Sequence, residues 1–211
     1  GGLALVNVVS CMLFGAISGS AVATTSAIGS FMLPEMKKAG YEPNFSAAVT
    51  AAASTTGMLI PPSNILIVYA IASGGVSIAA LFMAGYIPGI MVGLALMLVC
   101  FIYAKMKGYP LSPRLPIKVV VEKTIAALPS LFLIFLVIGG IVGGVFTATE
   151  AGAIAVVYSL LLAVVFYKEV DAKALPDIFL KAAETTAIVM LLIAASTAMS
   201  WLLSFENIPQ T

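Results

Sequence analysis

Charged residues along this chain fall in short islands, and the runs between them are long and apolar. No Asp, Glu, Lys or Arg occurs from Gly1 to Pro34, or from Asn44 to Tyr103. Runs such as LVIGGIVGGVF and LLLAVVFY do not alternate, so they read as helices rather than as strands of a transmembrane barrel. Several exceed the roughly 20 residues that cross a bilayer core. The pattern predicts an all-α, multi-pass membrane protein lying in a lipid bilayer.

The first apolar run is too long for one span and too short for two spans with a turn. Its centre, AISGSAVATTSAIGS, is built of small and hydroxyl residues. A re-entrant helical hairpin over about 3–35 fits, with its tip near 18–24; two full spans would return the chain to the same side. Helices follow at about 45–58 and 64–74, separated by Pro61 and Pro62, and then at about 77–105. A basic, proline-punctuated connector occupies 108–124, and further spans run over about 125–145, 150–167 and 183–204. The natural division is 1–107, then 108–124, then 125–211.

Charge orients these spans. Threading the chain through them puts all ten basic residues on one side: Lys37, Lys38, Lys105, Lys107, Arg114, Lys118, Lys123, Lys168, Lys173 and Lys181. The positive-inside rule makes that side cytoplasmic. Net charge is only +1, so nucleic acid is not an expected partner.

The proline pair poses the chemical question. Pro61 removes the amide that would bond the Gly57 carbonyl, and Pro62 does the same for Met58. An unpaired carbonyl at membrane depth costs several kcal/mol unless protein or a wet cavity meets it. A cation such as Na⁺ answers the need on the side where the first half-helix ends. The N-terminus of the second half, with Ser63 and Asn64, suits an anion. The hairpin tip repeats both features, with carbonyls near Ser18 and amides near Ser20 to Thr24. The competing account is a plain kink whose carbonyls are met by neighbouring helices. Small residues, for their part, also mark close helix packing.

Other features change the picture little. Cys11 and Cys100 have no metal-ligand spacing and read as buried thiols. Glu150 reads as a first-turn acid on a helix dipole. Tyr41 and Trp201 are candidate interfacial anchors. There is no histidine, no cysteine cluster and no carboxylate pair within a span, so the chain does not read as an enzyme. A passive channel or a structural subunit of a membrane assembly remains the alternative to a transporter.

The segment GGLALVNVVSCMLFGAISGSAVATTSAIGSFMLPEMKKAGY, followed by IPPSNILIVYA, LFMAGYIPG and GVFTATEAGAIAVVYSLL, resembles the large membrane subunit of tripartite ATP-independent periplasmic (TRAP) transporters. The resemblance covers nearly the whole chain. It implies secondary, sodium-coupled uptake of an organic acid anion across the bacterial inner membrane, of the sialic acid or C4-dicarboxylate class. It implies two partners, a small membrane subunit and a periplasmic substrate-binding protein. It also implies an inverted-repeat, elevator-type fold in which 1–107 belongs to the moving part and 125–211 to the scaffold of a second repeat. Family subunits are about twice this length, so the chain reads as a fragment. No cofactor is implied beyond Na⁺ as coupling ion. Carried over by position, the sodium site falls on Ser18, Gly57, Ile60, Ser63 and Asn64, and the substrate on Ser20 and Thr24.

Overall fold

A computed structural model describes residues 1–109 and 116–206; Arg114, part of the basic connector and the end of the chain from 207 lie outside the described residues. Those described are helical, with no strand among them. The helices are α1 Gly2–Ser18, α2 Ala21–Lys38, α3 Pro43–Thr56, α4 Asn64–Ala72, α5 Ile78–Lys107, α6 Ile117–Val142, α7 Ala148–Leu160 and α8 Leu175–Phe205. A π-helical turn, Leu161–Phe166, continues α7. Four of these stretches are long and apolar enough to cross a membrane: α5, α6, α7 with its π turn, and the helix ending in α8. The chain is a multi-pass membrane protein.

The helical hairpin and the broken helix both form. The hairpin's tip is tighter than the sequence suggests. Gly19 adopts φ 61°, a left-handed conformation that glycine enters without penalty, and Ser20 then caps α2 by accepting the Ala23 amide. α1 has 17 residues, which is about 25 Å at 1.5 Å per residue, less than a bilayer core. α3 and α4 are separated by the 57–63 loop, in which the Pro61–Pro62 peptide is cis.

Two boundaries differ from expectation. α6 begins at Ile117 rather than near 125, because Pro116 sits at its N-cap and nothing in the next turns stops a helix. α8 begins at Leu175 rather than near 183, so Asp177, Lys181 and Glu184 belong to the same 31-residue helix as the last span. Pro129 lies inside α6, whose backbone is braced from α7 and from just beyond its π turn: Tyr158 donates to the Pro129 carbonyl at 2.8 Å and Tyr167 to that of Ala126 at 3.1 Å.

Two apolar cores form. The first joins Ala4, Val8 and Cys11 of α1, Met32 and Met36 of α2, Val49 and Ala53 of α3, and Cys100 of α5. The second joins Phe82 of α5 to Val137 and Ile141 of α6 and Ala151 of α7. α5 therefore belongs to both, and α8, with no buried residue, packs against α4.

One end of the first core is closed by a clasp. Glu42, before α3, accepts Lys107 Nζ at 2.7 Å and the Tyr103 hydroxyl at 3.0 Å, while its amide donates to the Tyr109 hydroxyl. Tyr41 stacks on Tyr109 and Phe45 on Tyr103, each at 4.2 Å between centroids. Tyr41 is thus buried in the core instead of anchoring at an interface, whereas Trp201 is exposed and stacks on Phe205. The clasp gathers the basic ends of α2 and α5, with Lys37, Lys38, Lys105 and Lys107, at one end of the molecule. Glu150 completes a capping box with Thr147 at the start of α7, as a first-turn acid should.

Candidate functional site at the hairpin tip and helix break

The tip and the break touch. Gly15, one turn before the end of α1, meets Gly57 backbone to backbone; a Cβ on Gly15 would lie 2.6 Å from the Gly57 Cα. Gly19 meets the first residue of α4, where a Cβ would lie 2.8 Å from the Asn64 nitrogen. The Asn64 side-chain amide donates to the Ser18 carbonyl at 3.5 Å. Two helix C-termini, of α1 and α3, and two N-termini, of α2 and α4, therefore converge. Their dipoles place partial negative and partial positive charge side by side.

The two carbonyls freed by the prolines fare differently. Ser63 is fully buried, and its hydroxyl donates back to the Met58 carbonyl. Among the described residues, no group donates to the Gly57 carbonyl or to that of Ile60. The half-buried Ile60 leans on α5, where a Cβ on Gly89 would meet its side chain at 2.5 Å. No side chain caps α4, although Ser63 occupies the cap position.

At the tip, Ser18 Oγ lies 3.1 Å from Thr24 Oγ1, and Thr24 donates to the Ser20 carbonyl at 2.8 Å. Thr24 has no exposed surface, so its hydroxyl stitches the tip from inside. Ser20 is half-buried and its side chain holds the α2 cap. Of the residues singled out in the sequence, Ser18, Ser20 and Thr24 form one cluster, which Gly57 and Asn64 join from the break. Ser63 points back under the loop, and Ile60 lies on the α5 side.

A largely apolar cavity of about 180 Å³ opens beside the break. Ile17, Pro62 and Asn64 line one wall, and Val137, Ile141 and Gly152 another. It links the break to α6 and α7.

Sequence reasoning missed the supports of this site. Gly85, Gly89 and Gly93 recur at intervals of four on α5, and a side chain at the first would meet the Leu59 carbonyl, at the second Ile60, and at the third Met12. That spacing was a visible signal for a close-packed helix face. Asn7, buried between α1 and α3, carried no such signal.

The whole chain, residues 1–211, matches the family described as the tripartite ATP-independent periplasmic transporter, DctM component. It is 50% identical over 210 residues to a protein of Salmonella typhimurium named YgiK, covering all of this chain and 48% of that one. It is 40% identical over 211 residues to the C4-dicarboxylate TRAP transporter large permease protein DctM of Pseudomonas aeruginosa, and 42% identical over 213 residues to the ectoine TRAP transporter large permease protein TeaC of Halomonas elongata. All of this chain and 49% of each of those two proteins are covered, so the chain spans about half the length of the curated relatives it matches. With that match from end to end, the chain belongs to the DctM-component family of tripartite ATP-independent periplasmic transporters.

Proposed function

We propose that this chain is part of a permease that couples sodium entry to uptake of a small organic acid anion across the bacterial inner membrane. The observation that carries the reading is the convergence of four helix ends at Gly15, Gly57, Gly19 and Asn64. Carbonyls at the ends of α1 and α3 suit a hard cation; amides at the starts of α2 and α4 suit a carboxylate. Ser18, Gly57, Ile60, Ser63 and Asn64 are the proposed sodium residues. Ile60 enters through its carbonyl, and Ser63 by holding the loop through Met58. Ser20 and Thr24 flank the substrate, contributing the shape and backbone of the tip.

A sodium ion moving inward down about 100 mV supplies roughly 2.3 kcal/mol. Several ions per cycle would drive steep accumulation. Of the two substrate classes expected, C4-dicarboxylates have the support of a relative's name. Other relatives are named for isethionate, ectoine and 2,3-diketo-L-gulonate. A small membrane subunit and a periplasmic binding protein are the proposed partners, and the clasped, basic end is the proposed cytoplasmic face. The two cores support motion of the α1–α3 unit against α6 and α7, with α5 bridging them.

The test is uptake of labelled organic acids into proteoliposomes holding the complete permease, its small partner and the binding protein. Uptake should require both an inward sodium gradient and the binding protein. Downhill flux without the binding protein would favour a channel, and uptake indifferent to sodium would remove the proposed ion site.

A further inference from the structure

α1 and α3 run side by side in the same direction, and their contacts keep a nearly constant offset. The Asn7 side-chain amide donates to Thr50 Oγ1 at 2.8 Å, a separation of 43 residues in sequence. One turn on, the Ser54 hydroxyl reaches Cys11 Sγ at 3.7 Å, again 43 residues apart. One further turn on, Gly15 meets Gly57. Asn7, Cys11 and Gly15 are spaced by four, so they share one face of α1. Asn7, Thr50 and Ser54 are fully buried, and the polar groups are satisfied: Cys11 reaches Asn7 Oδ1 at 3.6 Å, and Thr50 and Ser54 donate to carbonyls of α3.

Helices in lipid gain little from apolar burial against one another, because the lipid tails are equally apolar. Ala4, Val8 and Ala53 give the rest of this seam no directional preference. A directional bond between buried side chains does, much as one buried Asn selects register in a coiled coil. A slip of one turn moves α1 by about 5.4 Å. It would carry Gly15 away from Gly57 toward Ala53 or Pro61, either of which has a side chain where the backbones now touch.

We propose that Asn7 is a positioning residue. Through Thr50 it fixes the sliding register of the hairpin on α3, and so the spacing between the end of α1 and the helix break. Asn7 lies eight residues before Gly15, about 12 Å away along α1, and touches nothing that would bind an ion or substrate. Its consequence for sodium rests on the proposed function; its consequence for register does not.

The test uses the complete permease with its small partner, carrying Ser18→Cys and Asn64→Cys as a reporter of tip-to-break spacing. Native Cys11 and Cys100 are buried and serve as background in a control lacking the pair. Disulfide formation should be rapid in the parent. It should fall roughly three- to tenfold with Asn7→Ala or Thr50→Val, the factor that one hydrogen bond's net contribution implies, and persist with Thr50→Ser. Should Asn7→Ala not fold, Thr50→Val, close in volume, carries the test. Unchanged cross-linking in folded Asn7→Ala and Thr50→Val proteins would overturn the assignment. The same substitutions without the cysteine pair are then melted in sodium chloride against choline chloride. A raised sodium midpoint in the two register variants, with Thr50→Ser near the parent, extends the role to ion binding. If the parent shows no sodium-specific stabilisation while cross-linking follows the pattern, the register assignment stands and the sodium reading falls.

Discussion

Gly15 and Gly57 touch through their main chains, one near the end of α1 and the other just beyond α3. Neither position has room for a methyl group. The contact brings the C-terminal ends of two helices together. Gly57→Ala should therefore push the hairpin off the break. A cost of about 1–3 kcal/mol, typical of overpacking, is expected in thermal melts of the complete permease. Sodium-dependent uptake should fall further than that loss of stability accounts for.

Ser63 should matter through Met58. Ser63→Ala leaves the part-buried Met58 carbonyl unmet, which costs about 1 kcal/mol. Ser63→Thr keeps the hydroxyl and should retain most of the stability. Melting curves of the two variants decide this, and a Ser63→Ala protein as stable as the parent would remove the stitch from the account.

α5 should be intolerant at Gly89, where a side chain would meet Ile60. Gly89→Leu should displace the loop and abolish uptake, while an equally large residue at exposed Met91, on the same helix, should be neutral. Equal uptake by Gly89→Leu and Met91→Leu would show that the loop does not lean on α5.

The clasp predicts a pH dependence. The bond from Lys107, and then that from Tyr103, holds the Glu42 carboxyl below its ordinary range. A depressed carboxyl stabilises the fold at pH values above its unfolded-state pKa, about 4.3, and that contribution is lost as pH falls through the lower folded value. Melting temperature should thus drop on acidification below about pH 4 more in the parent than in Glu42→Gln, with the two curves converging at the acid end. Because the pair is exposed to solvent, added salt should shrink the difference.

Glu150 is the contrasting case. Glu150→Ala removes half of a capping box and should cost on the order of 1 kcal/mol, leaving the sodium midpoint unchanged. A shifted midpoint would place this acid in the transport cycle.

The sequence disclosed those parts of the molecule that follow from local chemistry. Long uncharged runs gave the spans, Pro61 and Pro62 the interruption, and the small residues around Ser18 the hairpin tip. Glu150 marked a helix start as its first-turn acid. The failures share a cause. Whether Tyr41 faces lipid or packs on Tyr109 depends on where α5, a helix distant in sequence, comes to its end. That Thr24 is buried while Asn64 is exposed depends on how two distant helices lie together. The pairing of Asn7 with Thr50 is invisible for the same reason, since an asparagine in an apolar run says only that some partner is needed.

The double proline also has an asymmetry. Two adjacent prolines delete two backbone bonds, yet the chain repairs the deletion at Met58 with its own serine and, among the described residues, offers no donor to Gly57. The two rings are thus unequal in chemical consequence. The carbonyl that Pro62 frees is met within five residues, by Ser63, whereas the one that Pro61 frees lies in Gly57, where the hairpin arrives. Of the two carbonyls the motif frees, one is met by a side chain of the same loop and the other is not, so the two prolines are chemically distinct.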